Sequence, residues 1–241
     1  IAPSHWGGPG RFQPLRYPHA NNQRGDTRMS GKDITIKGPD GSFGGYLASP
    51  ASGHGPGVVV IQEIFGVNQH IRKMVDFYAS QGYLAVAPAL YDRAQPNYES
   101  GYTQPEVQAG AAIRGKLDNA KIVLDLEAAV AEAAKGGKVG VVGYCFGGTM
   151  TYLAACKIAG VAAASSYYGG GACAMAGDKP NCPTIMHFGE TDHSIPMADV
   201  EKFKAARPEV PVYVYPAGHG FNCSERGAFH EPSRDLALKR L

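Results

Sequence analysis

The segment Gly143-Tyr144-Cys145-Phe146-Gly147-Gly148 lies between two apolar stretches, Lys138–Val142 before it and a stretch that runs from Gly147 to Ile158. The first stretch has the pattern of a buried strand, and the second has the pattern of an apolar helix. A strand-to-helix turn this tight strains the backbone of its central residue, so the neighbouring positions need to lack side chains. The segment therefore predicts a sharp corner with Cys145 at its tip.

Other apolar runs of the buried-strand type occur on both sides of this corner. The predicted strands are a hairpin of Asp33–Lys37 and Gly44–Ala48, then Gly57–Ile61, Tyr83–Ala87, Lys138–Gly143, Val161–Tyr167, Pro183–Phe188 and Val210–Tyr215. Helical spacing is predicted around residues 71–78, from about Leu117 to Ala133, and over 147–158, 197–206 and 232–241, with a long polar loop from Tyr91. Strands that alternate with helices indicate an α/β fold whose mostly parallel central sheet has helices on both faces. We expect residues 29–241 to form a single domain.

Composition excludes several classes of protein. The formal net charge is +2, and residues 1–28 alone hold four arginines against one aspartate. The rest of the chain is therefore close to neutral, which leaves no basic face for nucleic acid. No apolar run approaches the roughly 20 residues of a membrane helix, and the first residues lack the apolar core of a signal peptide. We expect a cytoplasmic monomer, with an oligomer left open, and interpret residues 1–28 as an irregular extension or an expression remnant.

Cys145 is a candidate nucleophile because of its position in the predicted corner. The following helix would point its N-terminus at the sulfur, which favours the thiolate and presents N–H groups to an oxyanion. A buried structural cysteine in a glycine-rich turn is the alternative. A dinucleotide site is disfavoured because the bulky Tyr144 and Phe146 replace the glycine spacing it needs. The five cysteines include no CxxC pair, so neither a zinc knuckle nor a dithiol redox site is indicated.

Two further residues complete a catalytic order. Asp192 follows the predicted strand Pro183–Phe188, at the end where α/β sheets place groups that face a ligand. Capping of the next helix is the alternative role for this side chain. His219 follows the last predicted strand between two glycines. Nucleophile, acid and histidine thus appear in the chain order that this fold uses for a catalytic triad.

The sequence resembles the dienelactone hydrolases, or carboxymethylenebutenolidases, of the α/β-hydrolase superfamily. The resemblance is carried by cysteine in the corner motif, by the Gln-Glu-Ile-Phe-Gly run at residues 62–66 and by the Gly-His-Gly-Phe turn at 218–221. It implies a hydrolase that cleaves a small-molecule lactone or ester through a thioester on Cys145, with no metal or cofactor. It also implies that Glu63 contacts the resting thiol and takes its proton when substrate binds.

The resemblance assigns further roles. The backbone N–H groups of Ile64 and Phe146 would form the oxyanion hole, and Arg93, with Tyr91, would bind the substrate carboxylate. The family's second substrate arginine lies four residues after the histidine, where this chain has Cys223, and the nearest arginine is Arg226. Broader specificity is therefore expected. A promiscuous carboxylesterase for simple acyl esters and an inactive binding protein of the same fold remain alternatives.

Overall fold

Eight strands form one sheet in the computed structural model, which describes Leu15 and residues 31–241. The strands are β1 (Lys32–Gly38), β2 (Gly41–Ala48), β3 (Gly57–Ile61), β4 (Leu84–Pro88), β5 (Val139–Tyr144), β6 (Val161–Tyr167), β7 (Thr184–Gly189) and β8 (Val212–Tyr215). Their order across the sheet is β1-β2-β4-β3-β5-β6-β7-β8. All eight predicted strands are present, with bounds that differ by a few residues. The predicted extension, residues 1–28, lies outside the described residues apart from Leu15.

The sheet is mostly parallel, as predicted. Strands β1 and β2 form the antiparallel hairpin, and β2 pairs antiparallel with β4. From β4 to β8 every neighbouring pair is parallel. Parallel strands require crossover connections, and the helices that supply them cover the sheet.

Within the described part of the chain, seven α-helices connect or follow the strands. They are α1 (Gln69–Ser80), α2 (Gln104–Arg114), α3 (Asn119–Ala133), α4 (Phe146–Lys157), α5 (Gly171–Ala174), α6 (Met197–Ala206) and α7 (Glu231–Leu238). Helix α2 lies in the segment predicted to be a polar loop, which corrects that prediction. It begins with a capping box between Thr103 and Glu106 and buries only Gly110 and Ile113, so it has too few apolar residues to give a periodic signal.

Helices cover both faces of the sheet because the strands are apolar on both sides. In β3, Val58 and Val60 pack into the core on the α1 side. Val59 and Ile61 point the other way and pack into the core that α3 covers. The five residues of β3 are all buried, which is typical of a central parallel strand. Among the described residues, no helix is long and apolar enough to cross a membrane.

Candidate active site

Cys145 lies at the corner between β5 and α4, as the sequence predicts. Its backbone is in the left-handed region, with φ of 56° and ψ of −115°, which costs a residue with a side chain on the order of 1–3 kcal/mol. The N–H of Cys145 donates to the carbonyl of Tyr167, 3.0 Å away on β6. This contact ties the strained residue to the neighbouring strand.

Two glycines allow the corner to close. A Cβ placed on Gly143 would lie 2.1 Å from the carbonyl oxygen of Gly147, and one on Gly147 would lie 2.2 Å from the carbonyl oxygen of Ile61. Both contacts are with backbone atoms, which cannot turn away as a flexible side chain can. The first turn of α4 is thus pressed against the ends of β3 and β5. The sulfur is held half-buried at the sheet edge.

The structure brings Cys145, His219 and Asp192 into one hydrogen-bonded row. Nε2 of His219 lies 3.1 Å from Sγ of Cys145, and Nδ1 lies 2.7 Å from Oδ2 of Asp192. The other oxygen of Asp192, Oδ1, accepts from the N–H of Ser194 at 2.8 Å. Asp192 does not cap the next helix, because α6 has Pro196 at its N-cap and no side-chain hydrogen bond there. The contact with Ser194 instead orients the carboxylate.

The row holds His219 in its protonated form. Burial by itself lowers the pKa of the ring, but the hydrogen bonds to Asp192 and Cys145 outweigh it and raise this pKa to about 10. At neutral pH both ring nitrogens then carry protons, and Nε2–H donates to the sulfur.

Glu63 follows β3 and is fully buried, but the structure does not place its carboxylate on the thiol. Oε1 accepts from Nη1 of Arg226 at 2.9 Å, whereas the sulfur of Cys145 is hydrogen-bonded to His219. The expected contact between Glu63 and the resting thiol is therefore wrong for this structure. Burial raises the pKa of Glu63, and the positive charges of Arg226 and His219 oppose that rise.

Arg226 is a guanidinium near the site that no motif singled out: a Cβ on Gly220, the neighbour of His219, would lie 2.5 Å from its Nη1. It lies 5.6 Å from the ring centre of Phe65 and 5.7 Å from that of Tyr102, in addition to its ion pair with Glu63. Burial lowers its pKa, but the charge of Glu63 leads the contributions that raise it, and the net shift is upward. Arg226 is therefore charged. The only available signal was its place as the nearest arginine after His219.

The structure contradicts Arg93 as the substrate clamp. Its guanidinium nitrogens donate to the carboxylates of Asp40 and Asp125. Asp125 belongs to α3 and Asp40 to the β1–β2 turn, so Arg93 ties the hairpin to a helix. Because both carboxylates already occupy this guanidinium, it is not free to bind a substrate carboxylate.

Tyr91 is a buried packing residue in this structure. Its side chain is buried, its ring lies 5.7 Å from the ring centre of Phe146, and its hydroxyl donates to the carbonyl of Gly110 at 3.1 Å. The hydroxyl is thus used by α2. The ring packs against Phe146, the residue that follows Cys145.

The remaining predicted groups are the two oxyanion donors. Phe146 is the first residue of α4, where the N–H has no acceptor within the helix itself. Ile64 lies in the turn directly after Glu63, and its carbonyl oxygen is covered by Gly110 of α2, where a Cβ would lie only 2.3 Å away. Both groups lie in segments that leave the sheet at its carboxyl edge, the side on which Cys145 lies.

Comparisons with known proteins all find dienelactone hydrolases, or carboxymethylenebutenolidases, as relatives. The model of the dienelactone hydrolase family matches residues 43–241. The "Putative carboxymethylenebutenolidase" of Synechocystis sp. is 40% identical over 229 residues, covering 86% of this chain and 93% of that protein. The carboxymethylenebutenolidase of Pseudomonas putida is 36% identical over 225 residues, covering 88% and 94%. The crystal structure of a "Putative Dienelactone Hydrolase" from Klebsiella pneumoniae has a TM-score of 0.78 and 31% identity, covering 87% of this chain and 95% of that chain.

Proposed function

This chain belongs to the dienelactone hydrolase family and is a lactone or ester hydrolase, and from that premise we propose that Cys145, His219 and Asp192 are its catalytic triad. The observation that carries the proposal is the row of two hydrogen bonds, 3.1 Å from Sγ to Nε2 and 2.7 Å from Nδ1 to Oδ2. A nucleophile, a proton carrier and an orienting carboxylate in this sequence of contacts are the requirements for covalent acyl transfer.

The first chemical step is attack of the Cys145 thiolate on the carbonyl carbon of the lactone or ester. A C–S bond forms, and the π electrons of the carbonyl move onto its oxygen. We assign the stabilisation of this oxyanion to the N–H groups of Phe146 and Ile64. One such donor is worth on the order of 10²–10³ in kcat.

Collapse of the tetrahedral intermediate requires a proton for the leaving oxygen. The protonated His219 supplies it from Nε2 as the C–O bond breaks, which leaves a thioester on Cys145 and a neutral imidazole. A water molecule then gives a proton to Nε2 and attacks the thioester carbon. The thiolate leaves, the acid product forms, and the cationic ring with its thiolate partner is restored. The hydrogen bond from Nδ1 to Asp192 holds the ring in place through both halves of the cycle.

The contacts favour His219, rather than Glu63, as the group that holds the thiol proton. His219 is in direct contact with the sulfur, while the carboxylate of Glu63 is paired with Arg226. The role implied by the resemblance, in which Glu63 takes that proton when substrate binds, is testable. If Glu63 does take the thiol proton, Glu63→Gln should lower kcat/KM strongly. An unchanged kcat/KM would exclude Glu63 from the proton transfer.

Substrate choice depends on Arg226 in this proposal. The relatives' name describes a lactone that carries a carboxylate, and Arg226 is a cation near the site, beside Gly220. A charged hydrogen bond to that carboxylate is worth about 1.5–3 kcal/mol, so Arg226→Met should lower kcat/KM for carboxymethylenebutenolide by roughly ten- to a hundredfold. The value for 4-nitrophenyl acetate, which carries no carboxylate, should be much less affected. Equal losses of kcat/KM on both substrates would show that Arg226 does not recognise the carboxylate. That result would favour a simple carboxylesterase.

Trapping of the acyl-enzyme tests the triad directly. The intact protein, mixed briefly with a lactone and quenched in acid, should gain the mass of the acyl group on the peptide that contains Cys145. Cys145→Ala should neither form the adduct nor hydrolyse the lactone. Iodoacetamide at neutral pH should modify Cys145 before Cys173, which is also half-buried but has no histidine contact among the described residues. An adduct on another residue, or turnover by Cys145→Ala, would contradict the proposal.

A further inference from the structure

Three potential metal ligands from three separate segments meet beside the Glu63–Arg226 pair. Glu63 follows β3, His70 lies in the first turn of α1, and Cys223 lies in the loop that also carries His219. One ligand atom from each residue lies within 4.8 Å of the other two. All three side chains are buried, with exposed fractions of 0%, 3% and 0%. They belong to the protein interior behind the catalytic row.

Two of the three side chains each have a polar atom without a hydrogen-bond partner. Among the described residues, Oε2 of Glu63 and Nε2 of His70 are buried and unpaired, although buried polar atoms in proteins are almost always paired. A single electron-pair acceptor bound between the two atoms would satisfy both.

The donor set has the chemistry of a zinc site. It combines one carboxylate oxygen, one imidazole nitrogen and one sulfur, whereas magnesium and calcium prefer oxygen alone. Zinc bonds of about 2.0–2.3 Å in a tetrahedron place ligand atoms about 3.5 Å apart. The ligand atoms lie within 4.8 Å of one another, so side-chain adjustments on binding would bring them to that spacing. We propose that Glu63, His70 and Cys223 bind a zinc-like divalent cation, with water as the fourth ligand.

Charge and proton balance are consistent with this site. Cys223 now donates its S–H to the hydroxyl of Tyr102 at 3.3 Å. On binding, the thiol gives one proton to solvent and the sulfur bonds to the metal as a thiolate. The thiolate and the Glu63 carboxylate then neutralise the two charges of the cation, and no oxidant or reductant is required.

Occupation of the site would inhibit hydrolysis, a consequence that rests on the proposed function. A bound cation competes with Arg226 for Glu63 and repels the guanidinium. Both side chains would then be displaced from the arrangement that faces the substrate. Zinc should therefore act as a reversible inhibitor from a position beside the triad, without replacing any of its members.

Cobalt binding to Cys145→Ala tests the site without the catalytic sulfur. Removing this thiol prevents Cys145 and His219 from acting as a competing metal pair. We expect one equivalent of Co²⁺ to bind with a sulfur-to-cobalt charge-transfer band, which Zn²⁺ then abolishes by displacement. Adding Cys223→Ser should remove the band and weaken zinc binding by on the order of a hundredfold, because even outer contacts of zinc sites are worth 10- to 100-fold. Adding Cys173→Ser instead is the matched control and should leave both unchanged.

A second variant separates loss of a ligand from loss of the fold. His70→Gln in the same background keeps the thiolate but removes the nitrogen donor, so zinc should bind more weakly while circular dichroism and the melting temperature report an intact fold. A band that survives Cys223→Ser, zinc affinity unaffected by His70→Gln, or no saturable cobalt binding by the folded Cys145→Ala protein would overturn the proposal. Turnover of the unaltered enzyme in chelator, measured separately, reports on the hydrolase function alone.

Discussion

Removal of the cation from the buried Glu63–Arg226 pair should destabilise the protein. We expect Arg226→Met to lower the free energy of unfolding by about 3–5 kcal/mol at pH 8, the usual cost of leaving one member of a buried ion pair alone. The structure shows that Glu63 and Arg226 form a buried ion pair of this kind. The Glu63 side chain has no exposed surface, and Arg226 makes the only hydrogen bond to its carboxylate among the described residues. Methionine keeps much of the arginine's apolar length, so the loss should come mainly from charge.

The size of this loss should depend on pH in a definite direction. Burial already raises the pKa of Glu63 above its usual value of 4.5, and loss of Arg226 removes the leading opposing charge. A carboxyl group whose pKa is higher in the folded state weakens the fold once pH exceeds its unfolded pKa, and this cost vanishes when the group is protonated in both states. Each unit of pKa difference is worth about 1.4 kcal/mol. The penalty of Arg226→Met should therefore shrink as pH falls from 8 toward 4.5.

Urea unfolding followed by circular dichroism at several pH values measures this penalty. The double variant Glu63→Gln/Arg226→Met is the control, because it removes both charges and should recover most of the stability lost at pH 8. Its stability difference from the unaltered protein should also vary less with pH. A loss below about 1 kcal/mol for Arg226→Met at pH 8, the scale of an exposed pair, would refute the reasoning. Equal losses for the single and double variants would refute it as well.

Three further predictions follow from contacts in the described structure. The ring of His219 should stay protonated in ¹⁵N NMR spectra until about pH 10, and its contribution to stability, complete below pH 6.5, should be lost as pH rises through that higher value. Gly147→Ala should destabilise the protein by about 3 kcal/mol or more in urea unfolding, since its Cβ would lie 2.2 Å from a backbone oxygen at the end of β3. Gly177→Ala, which meets nothing within 4 Å, is the control and should change stability by less than about 0.5 kcal/mol. Arg93→Ala should cost about 3 kcal/mol, because it leaves the buried Asp125 without its cation, yet kcat/KM for a carboxylated lactone should be unchanged.

The sheet could be predicted from the sequence because its signals are local. Buried parallel strands such as Gly57–Ile61 are continuous apolar runs, and the glycines around Cys145 are required by backbone approach. The order of Cys145, Asp192 and His219 along the chain also predicts their meeting, since each follows a strand whose carboxyl end lies at the same sheet edge.

The polar contacts of the site depend on distances that the sequence does not encode. Arg93 matches a substrate-binding position, but Asp40 and Asp125 lie close enough in the fold to take its guanidinium. Glu63 and Arg226 are 163 residues apart, and no spacing rule connects them. Helix α2 was missed for a different reason: it lies on the surface and buries little, so its capping box was the informative signal rather than hydrophobic periodicity.

The distribution of the reacting groups over separate connections has a consequence for engineering. Cys145, Asp192 and His219, the proposed triad, each follow a different strand, and the segment between residues 94 and 103, which comes after β4, carries none of them. Libraries randomised in that segment would sample new ligand preferences while the proton-transfer apparatus stays in register. Such a scaffold offers a hydrolase whose selectivity and reactivity can be optimised one after the other.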